Sequence, residues 1–242
     1  MPRSEQIFLT AEWRDLLMLN YEIAPALLQK RVPHGTELDS FEGKTYVSLV
    51  GFRFRNTKYR SLFPNPFRSE FEEVNLRFYV RRTTGNEIRR GVVFISEIVP
   101  SVTVAKVARW IYGENYVRRP MEHRLDCDSE EKSIEYRWQA PSGWCRLHSR
   151  FSGEPAIPRE GSLDQFISEH YWGYSAQKDG ISLEYRVDHM PWRIWSASEA
   201  GFTGDPSDLY GRELASVLKN SPASAFVAEG SIVTVYDAVK LA

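Results

Sequence analysis

The stretch Phe71–Arg82 carries the clearest chemistry in the sequence. Its even positions Val74, Leu76, Phe78 and Val80 are apolar, and its odd positions are Glu73, Asn75, Arg77, Tyr79 and Arg81. Residues two apart in a strand share a face. A carboxylate, an amide and a guanidinium therefore stand in one row of polar, hydrogen-bonding groups. Turned into a closed sheet, that row makes a polar cavity for a small molecule. Turned outward, it is ordinary surface, which is where alternating sheets usually put polar residues. Glu97 lies in the next apolar run, Ile88–Val99, where a buried charge requires a partner. The run His170-Tyr171-Trp172-Gly173-Tyr174, with Trp192 and Trp195, supplies either an aromatic wall or a hydrophobic plug closing the end of a sheet. His170 next to Glu169 is a weak signal of proton transfer.

Other constellations are incomplete. His123 and Cys127, with Asp126 and Asp128 alongside, form a two-ligand fragment, whereas zinc needs three or four ligands. No metal or other cofactor is expected. There is no G-x-S-x-G elbow, no glycine-rich phosphate loop and no Walker lysine, and neither Cys127 nor Cys145 sits in a redox or protease motif. Basic residues cluster at Arg53, Arg55, Lys58 and Arg60 and again at Arg77, Arg81, Arg82, Arg89 and Arg90, and Glu70, Glu72, Glu73, Glu87 and Glu97 are threaded through the same region. That is a solvated face of mixed charge rather than a surface for nucleic acid.

The elements that must position these residues are mostly strands. Leu17–Ile23, Thr45–Arg55, Phe71–Arg82, Ile88–Val99, Ser133–Trp138, Trp144–Phe151, Ile181–Val187, Trp192–Trp195, Ala225–Glu229 and Ile232–Val239 read as strands from apolar alternation and flanking turn residues. Thr83-Thr84-Gly85-Asn86 joins two of them as an antiparallel hairpin. Helical signals are fewer: a turn after Ala24-Pro25, a helix from Ser101 through Ile111, a helix over Leu163–Trp172 with Ser162 and Gln165 as a capping box, and a helix around Tyr210–Leu218. Asn56–Phe67, with two prolines, reads as a long loop. Strands and helices do not alternate regularly, so a closed or cone-like antiparallel barrel decorated by helices, α+β and mostly β, is the expected fold.

Composition sets the outer bounds. The 242 residues hold 31 basic and 32 acidic side chains, a net charge of −1, with 42% hydrophobic and 26% charged residues. Such a chain folds, and it has no overall field to attract nucleic acid or an anionic membrane. No run approaches the ~20 apolar residues that cross a bilayer, and the N-terminus is not patterned as a signal peptide. Two cysteines are too few for a disulfide scaffold, so both thiols are expected free in a reducing, cytoplasmic setting. With no repeat and no linker, residues 1–242 are expected to form one domain.

Several runs carry a resemblance: Phe8-Leu9-Thr10-Ala11-Glu12-Trp13-Arg14-Asp15, Tyr46-Val47-Ser48-Leu49-Val50-Gly51-Phe52, Glu72-Glu73-Val74-Asn75-Leu76-Arg77, Gly91-Val92-Val93-Phe94-Ile95 and Glu169-His170-Tyr171-Trp172-Gly173-Tyr174. Over nearly the whole chain the sequence resembles the bacterial YqjF-like family, DUF2071, a domain of unknown function. That family is similar in fold to acetoacetate decarboxylase, a cone-like barrel enclosing a pocket. The resemblance implies an interior arginine and glutamate. Arg14, ahead of Val32-Pro33, stands in the place of the arginine, and Glu73 (or Glu72, one position off) in that of the glutamate. It also implies a reactive lysine beside a second lysine after Glu97, but that segment holds only Lys106. Schiff-base decarboxylation needs an amine with a depressed pKa, which a neighbouring cation supplies, so it does not carry over.

The expectation is a pocket in which Arg14 binds a carboxylate, Glu73 is its partner or a proton carrier, and Asn75, Arg77, Glu97, His170 and Trp172 complete the lining. Its ligand would be a small organic acid or carbonyl compound, with lyase-type conversion and homo-oligomerisation left open. Two alternatives stand beside it: a carrier or sensor of small aromatic compounds, and a partner-binding protein using the Asn56–Phe67 loop.

Overall fold

The first strand of this computed structural model already contains the device that shapes the rest. Strand β1 (Ile7–Ile23) turns Leu9, Ala11 and Trp13 to one side, then Leu16 and Met18 to that same side. One residue has been added between the two sets. Asp15 takes a positive φ of 56°, and the pairing register shifts between Arg14 and Leu17. This is a β-bulge, which bends a strand and swaps the faces of the residues beyond it. The structure describes residues 6–60, 70–101, 115–177 and 179–241.

Along the chain follow β2 (Glu37–Leu38), β3 (Thr45–Tyr59), β4 (Phe71–Thr84), β5 (Glu87–Val99), β6 (Tyr116–Arg118), β7 (Met121–Asp126), β8 (Glu131–Ala140), β9 (Gly143–Ser152), β10 (Trp172–Ala176), β11 (Ser182–His189), β12 (Ile194–Thr203), β13 (Ser224–Tyr236) and β14 (Val239–Leu241). Neighbouring strands pair in the order β11, β10, β5, β4, β3, β1, β13, and β13 pairs back with β11. Seven strands thus close a ring. Every seam of it is antiparallel except β5 with β10, where only Trp172–Gly91 and Gly173–Val92 pair, in parallel. β12 leaves the ring. Its first residues pair with β13 and its later ones with β9, which continues into β8 and β7 as a second sheet.

Two cores result. Inside the ring lie Phe8, Leu16, Met18, Phe52, Phe54, Phe71, Tyr79, Val92, Tyr185 and Trp192. On its outer face Leu17, Leu19, Leu49, Val74, Leu76 and Phe78 pack with Ile134, Tyr136, Trp138 and Leu147 of the second sheet. β4 is buried on both faces, so its polar row has no water to face.

The structure revises several element boundaries. The two strands expected around Gly230 are one, β13. Gly230 takes a φ of +77°, and a Cβ there would stand 1.9 Å from the Trp13 carbonyl oxygen. This glycine marks a close approach rather than a break. β3 runs on through Asn56, a second positive-φ residue at 51°, so the expected loop begins later; residues 61–69 lie outside the described residues. The helix expected over Leu163–Trp172 spans Leu163–Ser168, with Ser162 Oγ accepting from the Gln165 amide at 3.2 Å. Trp172 opens β10 instead, because its aromatic neighbours pair with β11. Gly211, at φ 79°, splits the last helix into Ser207–Tyr210 and Arg212–Val217. Of the helix expected from Ser101 to Ile111, residues 102–111, with Lys106, lie outside the described residues.

Candidate functional site: a polar-centred barrel cavity

The ring encloses a cavity of about 90 Å³. That is several times the roughly 10–15 Å³ that one water needs by the same measure, so the space has room for a small molecule. β4 contributes Glu73, Asn75 and Arg77, β5 contributes Glu97, and His170, Trp172 and His189 add to the polar and aromatic lining. Phe8, Trp13, Phe52, Phe54, Phe71, Phe94 and Trp192 form apolar walls. Six of the seven residues expected at the site are therefore brought together.

Arg14 is the exception. It follows Trp13, which faces the cavity, and so projects to the other side. There its Nη2 pairs with Glu12 at 2.8 Å, and it borders a surface cleft with Leu125, Lys132 and Phe151 of the second-sheet region. The expectation that Arg14 meets Glu73 in the interior is corrected. The bulge at Asp15 sets the facing of this stretch, and the resemblance could not reveal it. Glu73 rather than Glu72 faces inward. Glu72 lies on the opposite face, where its carboxylate contacts His123 Nδ1 at 2.6 Å and is held below the usual carboxylate range chiefly by that bond.

The interior groups differ in how they are held. Glu73 is 3% exposed and Glu97 1%; Asn75 Nδ2 donates to Glu73 Oε1 at 3.1 Å. Asn75 and Glu97 stand directly opposite across the β4–β5 pair. Tyr59 is pushed up to about 12 by burial, with the Glu73 charge adding to the effect. Arg77 is 8% exposed. Its Nη2 donates to the Ile167 carbonyl at 3.3 Å and approaches Met18 Sδ at 3.9 Å, while the guanidinium lies 5.7 Å from the Tyr79 ring centre. Its Nε has no acceptor, and among the described residues no carboxylate comes within 4 Å of it. A guanidinium offers five donors and cannot discharge itself by losing a proton. Removal from water without a counter-ion is costly, so the Arg77 charge is poorly compensated.

Trp172 is fixed from behind. Arg89 lies 4.2 Å from its ring centre and is itself held by the buried Glu184 at 2.6 Å; Arg82 and the Tyr174 hydroxyl reach the same carboxylate. His189 stacks on Trp192 at 4.3 Å and donates from Nδ1 to the Met190 carbonyl at 2.9 Å. Its pKa is lowered to about 4, mainly by burial. Sequence reasoning missed His189 and Tyr185, although Tyr185, Val187 and His189 alternate along β11 and could have been read as one face. His123 engages Glu72 and Arg53, and among the described residues no group of three or more His, Cys, Asp or Glu is placed to hold an ion.

A ring of seven strands around a polar-centred cavity, with a second sheet against its outside, defines the acetoacetate decarboxylase-like class of fold. The chain superposes on acetoacetate decarboxylase from Legionella pneumophila with a TM-score of 0.71 at 13% identity, covering 100% of this chain and 92% of that one. It superposes on the enduracididine biosynthesis enzyme MppR complexed with pyruvate with a TM-score of 0.67 at 10% identity, covering 100% and 92%. Within that class the chain belongs to the DUF2071 family, an uncharacterized conserved protein, which it matches over residues 10–231. It is 23% identical over 199 residues to the uncharacterized protein YqjF of Bacillus subtilis (strain 168), covering 82% of this chain and 80% of that protein.

Proposed function

We propose that the protein binds a small organic acid in the barrel cavity, with the ligand's carboxylate on Arg77. One observation carries this reading: a buried guanidinium lines the cavity with a spare donor and no described carboxylate within ion-pair reach. A bound carboxylate would supply the missing charge through paired, charge-assisted hydrogen bonds. The volume favours acids of the size of pyruvate, which the similar MppR structure holds. Glu73 and Glu97 stand on the same interior face and are suited to contact the ligand's carbonyl or hydroxyl end. Among the described residues no lysine lines the cavity, so the reading assigns no Schiff base to them.

Arg77→Met tests the proposal, because it keeps much of the side-chain volume and removes the charge. Titration calorimetry with pyruvate and acetoacetate should show binding to the unaltered chain and a loss of about 1.5–3 kcal/mol, roughly 10- to 100-fold, in the variant. The variant alone should melt at an equal or higher temperature, since a hydrophobic group replaces a poorly compensated buried charge. Equal binding by both chains, or by neither, overturns the reading. A melting temperature that falls sharply would mark Arg77 as a structural residue instead.

A further inference from the structure

A second polar group stands at the cavity wall, apart from the arginine row. Asp39 follows β2 and His170 precedes β10; their side chains are 0% and 1% exposed. His170 Nε2 lies 3.5 Å from Asp39 Oδ2. Asp39 is held from two other directions, with Oδ1 accepting from the Ser40 amide at 3.0 Å and Oδ2 lying 3.3 Å from Arg90 Nε. The imidazole is clamped between Tyr79 at 4.7 Å and Phe166 at 5.0 Å. His170 lines the cavity; its Nδ1 is buried without a hydrogen-bond partner, and its Nε2 meets the Asp39 carboxylate in an ion-pair contact looser than a hydrogen bond. The neighbour in sequence, Glu169, is not the partner; a residue 131 positions away is.

We propose that Asp39 and His170 form a proton-transfer pair serving this cavity, in which Asp39 keeps a proton on Nε2, Nδ1 is the base presented to the ligand, and binding of a small acid brings a proton onto Nδ1. The last element rests on the small-acid reading; the first two do not. A buried ring nitrogen that neither bonds the protein nor reaches bulk water is costly unless something else uses it. The carboxylate nearest Nε2 is that of Asp39, and a negative charge on that side of the ring favours the Nε2–H tautomer. Asp39 is a positioning residue, because it acts through His170.

The charged and titratable groups facing the imidazole are Asp39 after β2, Arg77 and Tyr79 on β4, and Arg90 on β5. Burial holds the imidazole below its ordinary value; Asp39 opposes that, and Arg77 and Arg90 reinforce it. Burial pushes the Asp39 carboxyl up, but the His170 and Arg90 contacts outweigh it and leave the group below the usual carboxylate range. Near neutral pH the pair is therefore a carboxylate and a neutral ring. A ligand carboxylate on Arg77 cancels one of the cations that disfavour the imidazolium and adds a negative charge to the same cavity. The ring's proton affinity rises, and one N–H bond forms at Nδ1 with a proton taken from buffer.

Calorimetry of pyruvate binding at pH 7 in phosphate and in Tris reads the proton directly, because these buffers differ in ionisation heat. The expected result is a heat that depends on the buffer with the sign of proton uptake. His170→Gln should bind several-fold more weakly with no buffer dependence, and Asp39→Asn should show weaker binding and smaller uptake. Binding with a buffer-independent heat in the unaltered chain overturns the proton-transfer role and leaves the Arg77 site standing. If pyruvate does not bind, the small-acid reading falls, and the pair is judged on the ¹⁵N shifts of the His170 ring in the protein alone. A single Nε2–H tautomer that becomes mixed in Asp39→Asn supports the pair. An Nδ1–H tautomer in the unaltered chain, or one indifferent to residue 39, overturns it. The measurement on the unaltered chain decides the matter even where Asp39→Asn fails to fold.

Discussion

At the scale of single residues, the interior is a place where ordinary titration is suppressed. His189 illustrates the cost. Its pKa of about 4 lies well below the roughly 6.5 of an unfolded histidine, so between those values the unfolded chain binds a proton that the folded chain refuses. Stability must therefore rise with pH across that window and be lost as pH falls from about 6.5 toward 4, by about 2–3 kcal/mol after allowance for the ring's partial exposure. Urea midpoints measured at pH 7 and pH 4.5 check this, and His189→Gln should flatten the difference. An undiminished slope in that variant would assign the effect elsewhere. Glu72 and Asp39, both held below the usual carboxylate range, add losses of the same sign at lower pH. The polar row of β4 was legible in the sequence as alternation, but alternation alone did not say which way the row faced. What decided it was burial of the other face by the second sheet, a contact between residues some 60 positions apart. Arg14 was misplaced for a subtler reason. One extra residue, Asp15, sets which neighbours share a face, and although aspartate tolerates a positive φ better than most residues, its presence alone does not announce one.

At the scale of elements, glycines decide how closely strands and rings approach the cavity. Gly173 pairs with Tyr185 across β10 and β11, and the Tyr185 ring folds over it: a Cβ on Gly173 would stand 2.1 Å from the ring's Cζ. Tyr185 also lines the cavity. Gly173→Ala should therefore push that ring into the ligand space, weakening pyruvate binding at least several-fold while costing about 1–3 kcal/mol of stability through overpacking. Calorimetry and thermal melts on the one variant check both. Gly230→Ala should be worse for folding, because its Cβ meets the Trp13 backbone first, with the Leu16 side chain beside it, and its φ is unfavourable to most side chains. A loss of about 2 kcal/mol or more in a urea titration is expected. The sequence marked Gly230 as punctuation, which was right about its exceptional geometry and wrong about its effect, since β13 continues through it. The helix expected to run to Trp172 stops at Ser168 because local helical signals lose to the pairing of β10 with β11, which no local pattern contains.

At the scale of the whole molecule, the fold class, a closed or cone-like barrel, was legible from the number of strands, the scarcity of helices and the resemblance of several runs, whereas the pairing that closes the ring was not. Closure depends on β11 meeting β13, nearly 50 residues on, through only three residue pairs. The seams are unequal. β1, β3 and β4 each have long partners on both sides, while β5 and β10 share two residue pairs. Amide exchange should be slowest in the three long strands and fastest along the β5–β10 contact, which lies beside Trp172 at the cavity wall. Equal protection at that contact would count against it as the weak point.

That short contact is a matter of parity. Strands set alternately up and down around a circle come out even only when their number is even. This circle has seven, so two neighbours are obliged to run the same way, and no choice of side chains could remove the mismatch. Parallel neighbours cannot be joined by a tight hairpin; the chain must travel from one end of the barrel to the other before it re-enters. Here the journey is the stretch from Val99 to Trp172, and β6 to β9 are made on the way. The outer layer that covers β4, and so keeps its charged row turned inward, is the detour that an odd-numbered circle imposes.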